Sequence, residues 1–436
     1  MNDPQRPLGP ISETRRIMRD YTRDTGIPPR DSTPISPLFL ERNAYFEIRR
    51  AALQILRLCK RAVLSCGSST GERLEFYQVD PAEYPLFSGD AEFEEGLCDI
   101  FARPDFVLTD TGPKVLEYNV SGAVGGVAEL STLMAALEAS YGRRCSVPWE
   151  WADPFADRAA AFENVADYYG LTKDVLVVGS SRDLKHASTP RILDLETDAL
   201  RARGFRAEYV EPEGIEEAIR RGVPDLGLRM FTIPEWEELG IDFEPVRDLL
   251  VAGNWLLTPQ TSAFLANKKT LGLLSEGLPW MSAEDRRLVA KYVPWTRVLG
   301  DRRSTSPSGR RIDLIDYVLS KREDVVLKQG IGMQGLQVTI GRLTTPGIWE
   351  EMITSSARDC SSIVQSYVEP TSQQVWMSHG ESHAETELLR TKPILSFFLF
   401  GGRSGSGWAR FRPDDTFGLV SREGFGAFET AIHPSI

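Results

Sequence analysis

An α/β fold is what this sequence predicts, and three observations predict it. Between Asp174 and Arg229 apolar, strand-like runs alternate with charged helical ones. Earlier, Arg103 to Asn119 reads as a hairpin with its polar residues on one face. Later, a strand ending in Lys328 enters a glycine loop and returns. Strand–helix alternation spells a small parallel sheet, because parallel neighbours need crossover connections, while the other two segments add antiparallel α+β elements.

Taken in order, the 436 residues exceed one ordinary core and divide into four stretches. Residues 1–40 are polar and proline-rich and read as a loosely attached arm. In 41–150, Leu40 to Ser65 has helical apolar spacing, with Arg and Lys toward its end as a helix C-terminus favours. The hairpin follows, then Ser121-Gly122-Ala123-Val124-Gly125-Gly126 leads into a helix over Val127 to Ala139. A composition change near Val147-Pro148-Trp149 opens 151–255, the small parallel α/β domain. Its strands are Val175–Gly179, Ala207–Val210 and Leu226–Arg229, and its helices Ile192–Arg203 and Ile215–Arg220. Val178-Gly179-Ser180-Ser181 is not a G-x-G-x-x-G turn, so this domain reads as scaffold. In 256–436, Ser262 to Leu274 is a helix or turn-helix carrying Asn267, Lys268 and Lys269, and Asp301 to Arg311 a solvated loop. Strands follow at Asp324–Lys328, Leu336–Ile340, Ile363–Val368 and Ile394–Leu399.

Composition excludes several classes. A formal net charge of -12 and a pI near 5.1 argue against general nucleic-acid or anionic-membrane binding. The five cysteines (Cys59, Cys66, Cys98, Cys145, Cys360) are scattered with no C-x-x-C pair, so neither a disulfide framework nor a zinc site is indicated. No apolar run approaches the ~18 residues of a membrane span, and the first residues lack the apolar core of a signal peptide. A cytoplasmic protein is the expectation, of unspecified oligomeric state.

The hairpin carries the most chemistry. Asp110-Thr111-Gly112 is a turn signal between Phe106-Val107-Leu108 and Val115-Leu116, which predicts a three-residue loop. With Thr111 at the centre, Asp105 falls opposite Glu117 and Arg103 opposite Asn119, all on one face. A bulge at Gly112 would shift this pairing by one. Two carboxylates and an amide beside an arginine suit a hard cation that also holds phosphate. Downstream, Lys328 followed by Gly330, Gly332 and Gly335 suits a flap over a polyphosphate, although no Walker sequence occurs. Taken singly, a glycine hairpin is a turn and Lys268 a solvated lysine. The strand through Gln365, Tyr367 and Val368 offers backbone to an adenine edge. His379 and His383 fall in a polar loop.

In type, spacing and order these segments resemble the circularly permuted ATP-grasp ligases, specifically the synthetase domain of the glutathionylspermidine synthase family. There R-x-D and a strand ending in E-Y-N precede the ATP-gripping lysines, as Arg103, Asp105, Glu117 and Asn119 do here. The resemblance implies a circularly permuted ATP-grasp core with a small parallel pre-ATP-grasp domain. It implies ATP and Mg2+ as cofactors, with Asp105, Glu117 and Asn119 as metal ligands and Lys268 and Lys328 on the phosphates. Gly330, Gly332 and Gly335 would form the flap, Gln365, Tyr367 and Val368 the adenine side, and Arg103 and Arg410 the groups stabilising the transferred phosphoryl. The implied reaction joins a small-molecule carboxylate to an amine through an acyl phosphate, on an amino acid or small peptide. Ser121, Gly125, Gly126 and Arg229 are candidates to receive a substrate carboxylate. The sequence departs from the family after Asn119 and after Lys328, so glutathione and spermidine are not implied as substrates. The rival expectations are a non-catalytic nucleotide-binding protein and an α/β enzyme using a sugar nucleotide or dinucleotide.

Overall fold

The computed structural model describes residues 11–25, 32–142, 152–183, 191–332, 337–379, 385–412 and 427–435. Its largest sheet has six strands, in the order Leu38–Leu40, Phe428–Pro434, Arg403–Phe411, Ile394–Phe400, Phe101–Thr109 and Gly112–Val120. Neighbours are antiparallel except the first pair. The early hairpin is thus completed by strands from the far end of the chain, Asp105 lying beside Ser396 and Ser396 beside Trp408. The helix Arg42–Ser65 packs on this sheet through Tyr45, Ile48, Ala52, Ile55, Cys59 and Val63, the three- and four-residue spacing that builds one apolar stripe. The side chain of Glu41 caps its start by accepting from the Asn43 and Ala44 amides.

The parallel sheet runs Arg206–Val210, Asp174–Val178, Leu226–Arg229, Trp255–Leu257. Its first strand in sequence lies inside, so chain direction across the sheet reverses between Asp174–Val178 and Leu226–Arg229. A crevice at the carboxyl ends of these two strands is where open α/β sheets take ligands. Gly122, in the loop after the early hairpin, approaches this edge closely: a Cβ there would come within 2.3 Å of the Arg229 carbonyl.

A third, antiparallel sheet (Val338–Ile340, Val325–Gln329, Ser362–Ser366, Thr296–Val298) has its own core around Leu299, Val318, Leu327, Trp349 and Ile353. It carries Lys328 and Gln365.

Several expectations need correction. The N-terminal stretch contains a helix, Ile11–Thr25, which packs on Val127–Leu137 and buries Met18. Its charged residues mask a narrow apolar stripe. Arg303–Thr305 and Arg311–Asp313 pair as a short hairpin that takes up most of the expected loop and runs two residues past it. Of the two readings of Ser262 to Leu274, the turn-helix holds: Ser262–Ala266 is followed by Lys269–Glu276, with Asn267 extended between them. The expected boundary at Val147 to Trp149, Leu336 and His383 lie outside the described residues. His379 is the last residue of a strand, bonded to the Ser32 hydroxyl.

Candidate active site

The hairpin pairs Arg103 with Asn119 and Asp105 with Glu117, as the alternation predicts, but by a different route. Its loop has two residues rather than three, since Thr109 pairs with Gly112. Two-residue closure alone would set Asp105 opposite Leu116. Instead the register shifts between Asp105 and Phe106, Leu116 is left unpaired, and Glu117 returns to face Asp105. The bulge therefore sits at Leu116, beside the candidate site, rather than at Gly112.

Asp105 is 5% exposed and heavily bonded. Its Oδ1 accepts from the Ser396 hydroxyl at 2.7 Å and its Oδ2 from Arg410 Nη2 at 2.7 Å. Arg103 Nε lies 3.4 Å from Oδ1, an ion-pair distance without hydrogen-bond alignment. Burial would raise this carboxyl, but the Arg410 and Arg103 guanidiniums and the Ser396 hydroxyl outweigh it and hold it at about 2. Asn119 Nδ2 donates to the Arg103 carbonyl at 3.1 Å, leaving its amide oxygen without a donor among the described residues.

Both lysines converge on the same face. Lys268 stands at the break between two helices, not on a solvated surface, and is 7% exposed. Its Nζ is 3.3 Å from Glu117 Oε2 and donates to the Gly332 carbonyl at 3.2 Å. Lys328 Nζ donates to Gln365 Oε1 at 2.8 Å and to the Leu116 carbonyl at 3.2 Å. Burial presses the Lys328 ammonium down to about 8; Glu117 resists this and the Lys268 charge adds to it. Four cations (Arg103, Arg410, Lys268, Lys328) thus face two carboxylates (Asp105, Glu117), leaving two positive charges in a largely buried cluster. Such a surplus suits an incoming polyanion.

Other predicted residues are placed less decisively. Gly330 joins the cluster through its carbonyl, which accepts from the Lys268 amide, and a Cβ there would meet Asn267 Oδ1 at 2.8 Å. Close packing accounts for that glycine. Gly335 lies outside the described residues. Tyr367 is turned to structural use, its amide donating to the Asp324 carbonyl and its ring lying 3.7 Å from Arg342. Among the described residues Val368 makes no backbone hydrogen bond to the charged cluster.

Three participants were not visible in the sequence. Ser396 is fully buried in an otherwise apolar strand, Ile394–Phe400, whose only polar side chain it supplies. Thr296 accepts from Gln365 Nε2 at 3.1 Å and so orients the amide that holds Lys328. Trp408 lies beneath both arginines, its ring centroid 5.3 Å from Arg103 Cζ and 4.8 Å from Arg410 Cζ. A lone serine in an apolar strand, and a tryptophan two residues before an arginine, were the available signals.

Arg229, at the end of a strand of the parallel sheet, has its carbonyl close against Gly122. It is 6% exposed, its Nε is buried without a partner, and burial lowers its guanidinium to about 10, with Glu94 the opposing charge. Glu94 itself is engaged, accepting from the Thr261 amide and hydroxyl and the Ser88 amide.

Among the described residues no three His, Cys, Asp or Glu side chains cluster as a metal cage. Asp105, Glu117 and Asn119 offer two carboxylates and an amide, a set that fits a small hard cation arriving with phosphate oxygens to complete its shell. That is a partial site by design of its donors, not a closed one.

No family model and no curated protein matches this chain. Solved structures do. A glutathione synthetase-like effector (GSS30) from Globodera pallida, in its apo form, aligns with a TM-score of 0.58 over 98% of each chain, at 10% identity. At that identity the likeness is one of fold: this chain has a mixed α/β architecture like that of the glutathione synthetase-like effector.

Proposed function

We propose that the protein is an ATP-dependent carboxylate–amine ligase forming an amide through an acyl phosphate, on an amino acid or small peptide. The observation that carries this reading is the convergence, on one buried face, of two carboxylates and an amide with four cations drawn from segments across the chain. Asp105, Glu117 and Asn119 would hold Mg2+, which would supply charge neutralisation for a bound polyphosphate. Lys268 and Lys328 would neutralise the phosphate oxygens, with Gln365 and Thr296 fixing the second of them. Arg103 and Arg410 would stabilise charge developing on the transferred phosphoryl group. A substrate carboxylate attacks the γ-phosphate, releasing ADP; an amine then attacks the acyl carbon and releases phosphate. Arg229, with the Ser121–Gly126 loop against it, would hold a second, non-reacting anionic group of the acyl substrate.

A non-catalytic nucleotide binder would need the lysines but not the Asp105–Glu117–Asn119 set, and a dinucleotide enzyme would need a G-x-G-x-x-G turn where Val178-Gly179-Ser180-Ser181 stands. The deciding experiment measures ADP and phosphate release with ATP and Mg2+ across pooled amino acids and short peptides, with mass spectrometry of products. Amide product formed stoichiometrically with ADP is the expected result. Nucleotide binding with no ADP from any pool would remove the ligase reading.

A further inference from the structure

Arg103 and Arg410 both meet the Asp105 carboxylate, Arg103 Nε at 3.4 Å from Oδ1 and Arg410 Nη2 at 2.7 Å from Oδ2, and two like charges that share one carboxylate repel each other. Something must hold the pair together in a place from which water is mostly excluded. Trp408 occupies that place. It stands two residues before Arg410 on the Arg403–Phe411 strand, so both side chains leave the same face of the sheet. Its neighbour across the sheet is Ser396, whose own neighbour is Asp105. Its ring presents π density to both Arg103 and Arg410. The ring is itself seated: a Cβ on Gly126 would lie 2.5 Å from it, and Gly126 has φ 96°, a conformation glycine adopts freely. The loop that seats the ring also anchors Arg103, whose Nη1 donates to the Gly125 carbonyl at 2.7 Å. Trp408 is 3% exposed and its indole N–H has no acceptor among the described residues.

We infer that Trp408 is a positioning residue: its π faces and the Gly125–Gly126 seat hold Arg103 and Arg410 as a preformed anion fork. This rests on the proposed function for its purpose, since the anion is there the transferred phosphoryl group. The fork itself can be tested without any turnover.

The test uses the full-length protein and inorganic triphosphate, titrated by calorimetry in the presence of Mg2+, with thermal unfolding as the folding control. Trp408→Phe keeps a π face and should bind within about threefold of wild type. Trp408→Met keeps much of the bulk without the π face and should bind about tenfold more weakly, the loss expected for two partly buried cation–π contacts. Arg410→Lys keeps the charge but not the planar group, and should lose affinity to a similar degree even if Trp408→Met does not fold. Wild-type affinity in Trp408→Met or in Arg410→Lys, or failure of the wild type to bind triphosphate, would overturn the inference. Binding with the expected ranking but no product from any substrate pool would leave the fork standing and sink only the ligase reading.

Discussion

The Lys328 ammonium donates to the Leu116 carbonyl across 212 residues of chain, and Leu116 is the one residue the hairpin bulge leaves unpaired. A single irregularity therefore does two things. It restores Glu117 to the position opposite Asp105, and it supplies a carbonyl to dock the later lysine. Functional sites commonly place bulges where a side chain must be re-aimed.

That docking has a pH signature. Lys328 is held at about 8 in the folded protein, whereas an unfolded chain keeps lysine protonated to ~10.4. Between these values the unfolded state binds more protons, so this residue's contribution makes the folded state more stable as pH rises from about 8 to ~10.4. Below pH 8 the buried charge is a full cost. Lys328→Met should therefore gain on wild type most at pH 7, by an amount on the order of 1–3 kcal/mol, and the gap should shrink toward pH 10. Urea midpoints at several pH values check this, and triphosphate affinity of the wild type should fall as pH passes 8. A gap independent of pH would place the titration elsewhere.

How much of this was legible in the sequence follows from which signals are local. Strand alternation placed Arg103, Asp105, Glu117 and Asn119 on one face because a period of two needs no tertiary knowledge. The position of the bulge did not follow, since Leu116 differs from its neighbours only by what it meets 212 residues later. The burial of Lys268 was hidden for the same reason: a lysine between two short helices is ordinarily solvated, and only packing against Glu117 and Gly332 makes it otherwise. Ser396 and Trp408 are chemically mute until the Ile394–Phe400 and Arg403–Phe411 strands are laid beside the hairpin. The strands of the parallel sheet were legible because strand–helix alternation repeats itself.

Glu117→Gln separates binding from fold. Glu117 faces Lys268 directly and is the foremost charge sustaining the protonated form of Lys328. Its neutralisation should lower ATP-dependent phosphate release by at least ~100-fold, the scale for loss of a preorganised electrostatic partner. It should also lower the Lys328 pKa further, moving the pH dependence of triphosphate binding to lower pH. Turnover near the wild-type rate would remove the metal-holding role.

Gly122→Ala probes the contact between the hairpin loop and the parallel sheet. The new Cβ would come within 2.3 Å of the Arg229 carbonyl, and neither backbone can yield cheaply. A destabilisation of about 1–3 kcal/mol is expected in urea unfolding, with a raised KM for the acyl substrate because the loop is pushed off Arg229. An unchanged midpoint would mean that the two segments separate freely.

Glu196→Gln concerns stability alone. Arg158 and Glu196 form an ion pair at 2.5 Å, with side chains 1% and 2% exposed, and Arg158 also lies over the rings of Phe101 and Phe400. Removing the negative partner leaves a buried guanidinium uncompensated, at a cost of about 3–5 kcal/mol. Triphosphate affinity should be unaffected at temperatures where the variant remains folded, because among the described residues the pair makes no hydrogen bond or ion pair with the charged cluster.

Arg229 should show function and stability moving in opposite directions. Its guanidinium is almost wholly buried, its Nε has no hydrogen-bond partner among the described residues, and Glu94, the opposing charge there, is already engaged. In the free protein such a group is a liability, since a buried charge without a bonded partner costs more than an apolar side chain of similar length. Arg229→Met should therefore leave the free protein as stable as wild type or raise its unfolding temperature. In the bound state the same group becomes an asset if a substrate anion supplies the missing partner, and Arg229→Met should then raise KM for the acyl substrate by ~10–100-fold, the weight of a charge-assisted hydrogen bond. Arg229→Lys should recover part of that loss, because the charge returns without the planar fork. A variant that is both less stable and unchanged in KM would assign Arg229 to packing, with Phe231, over which it lies at 6.0 Å, as its true partner.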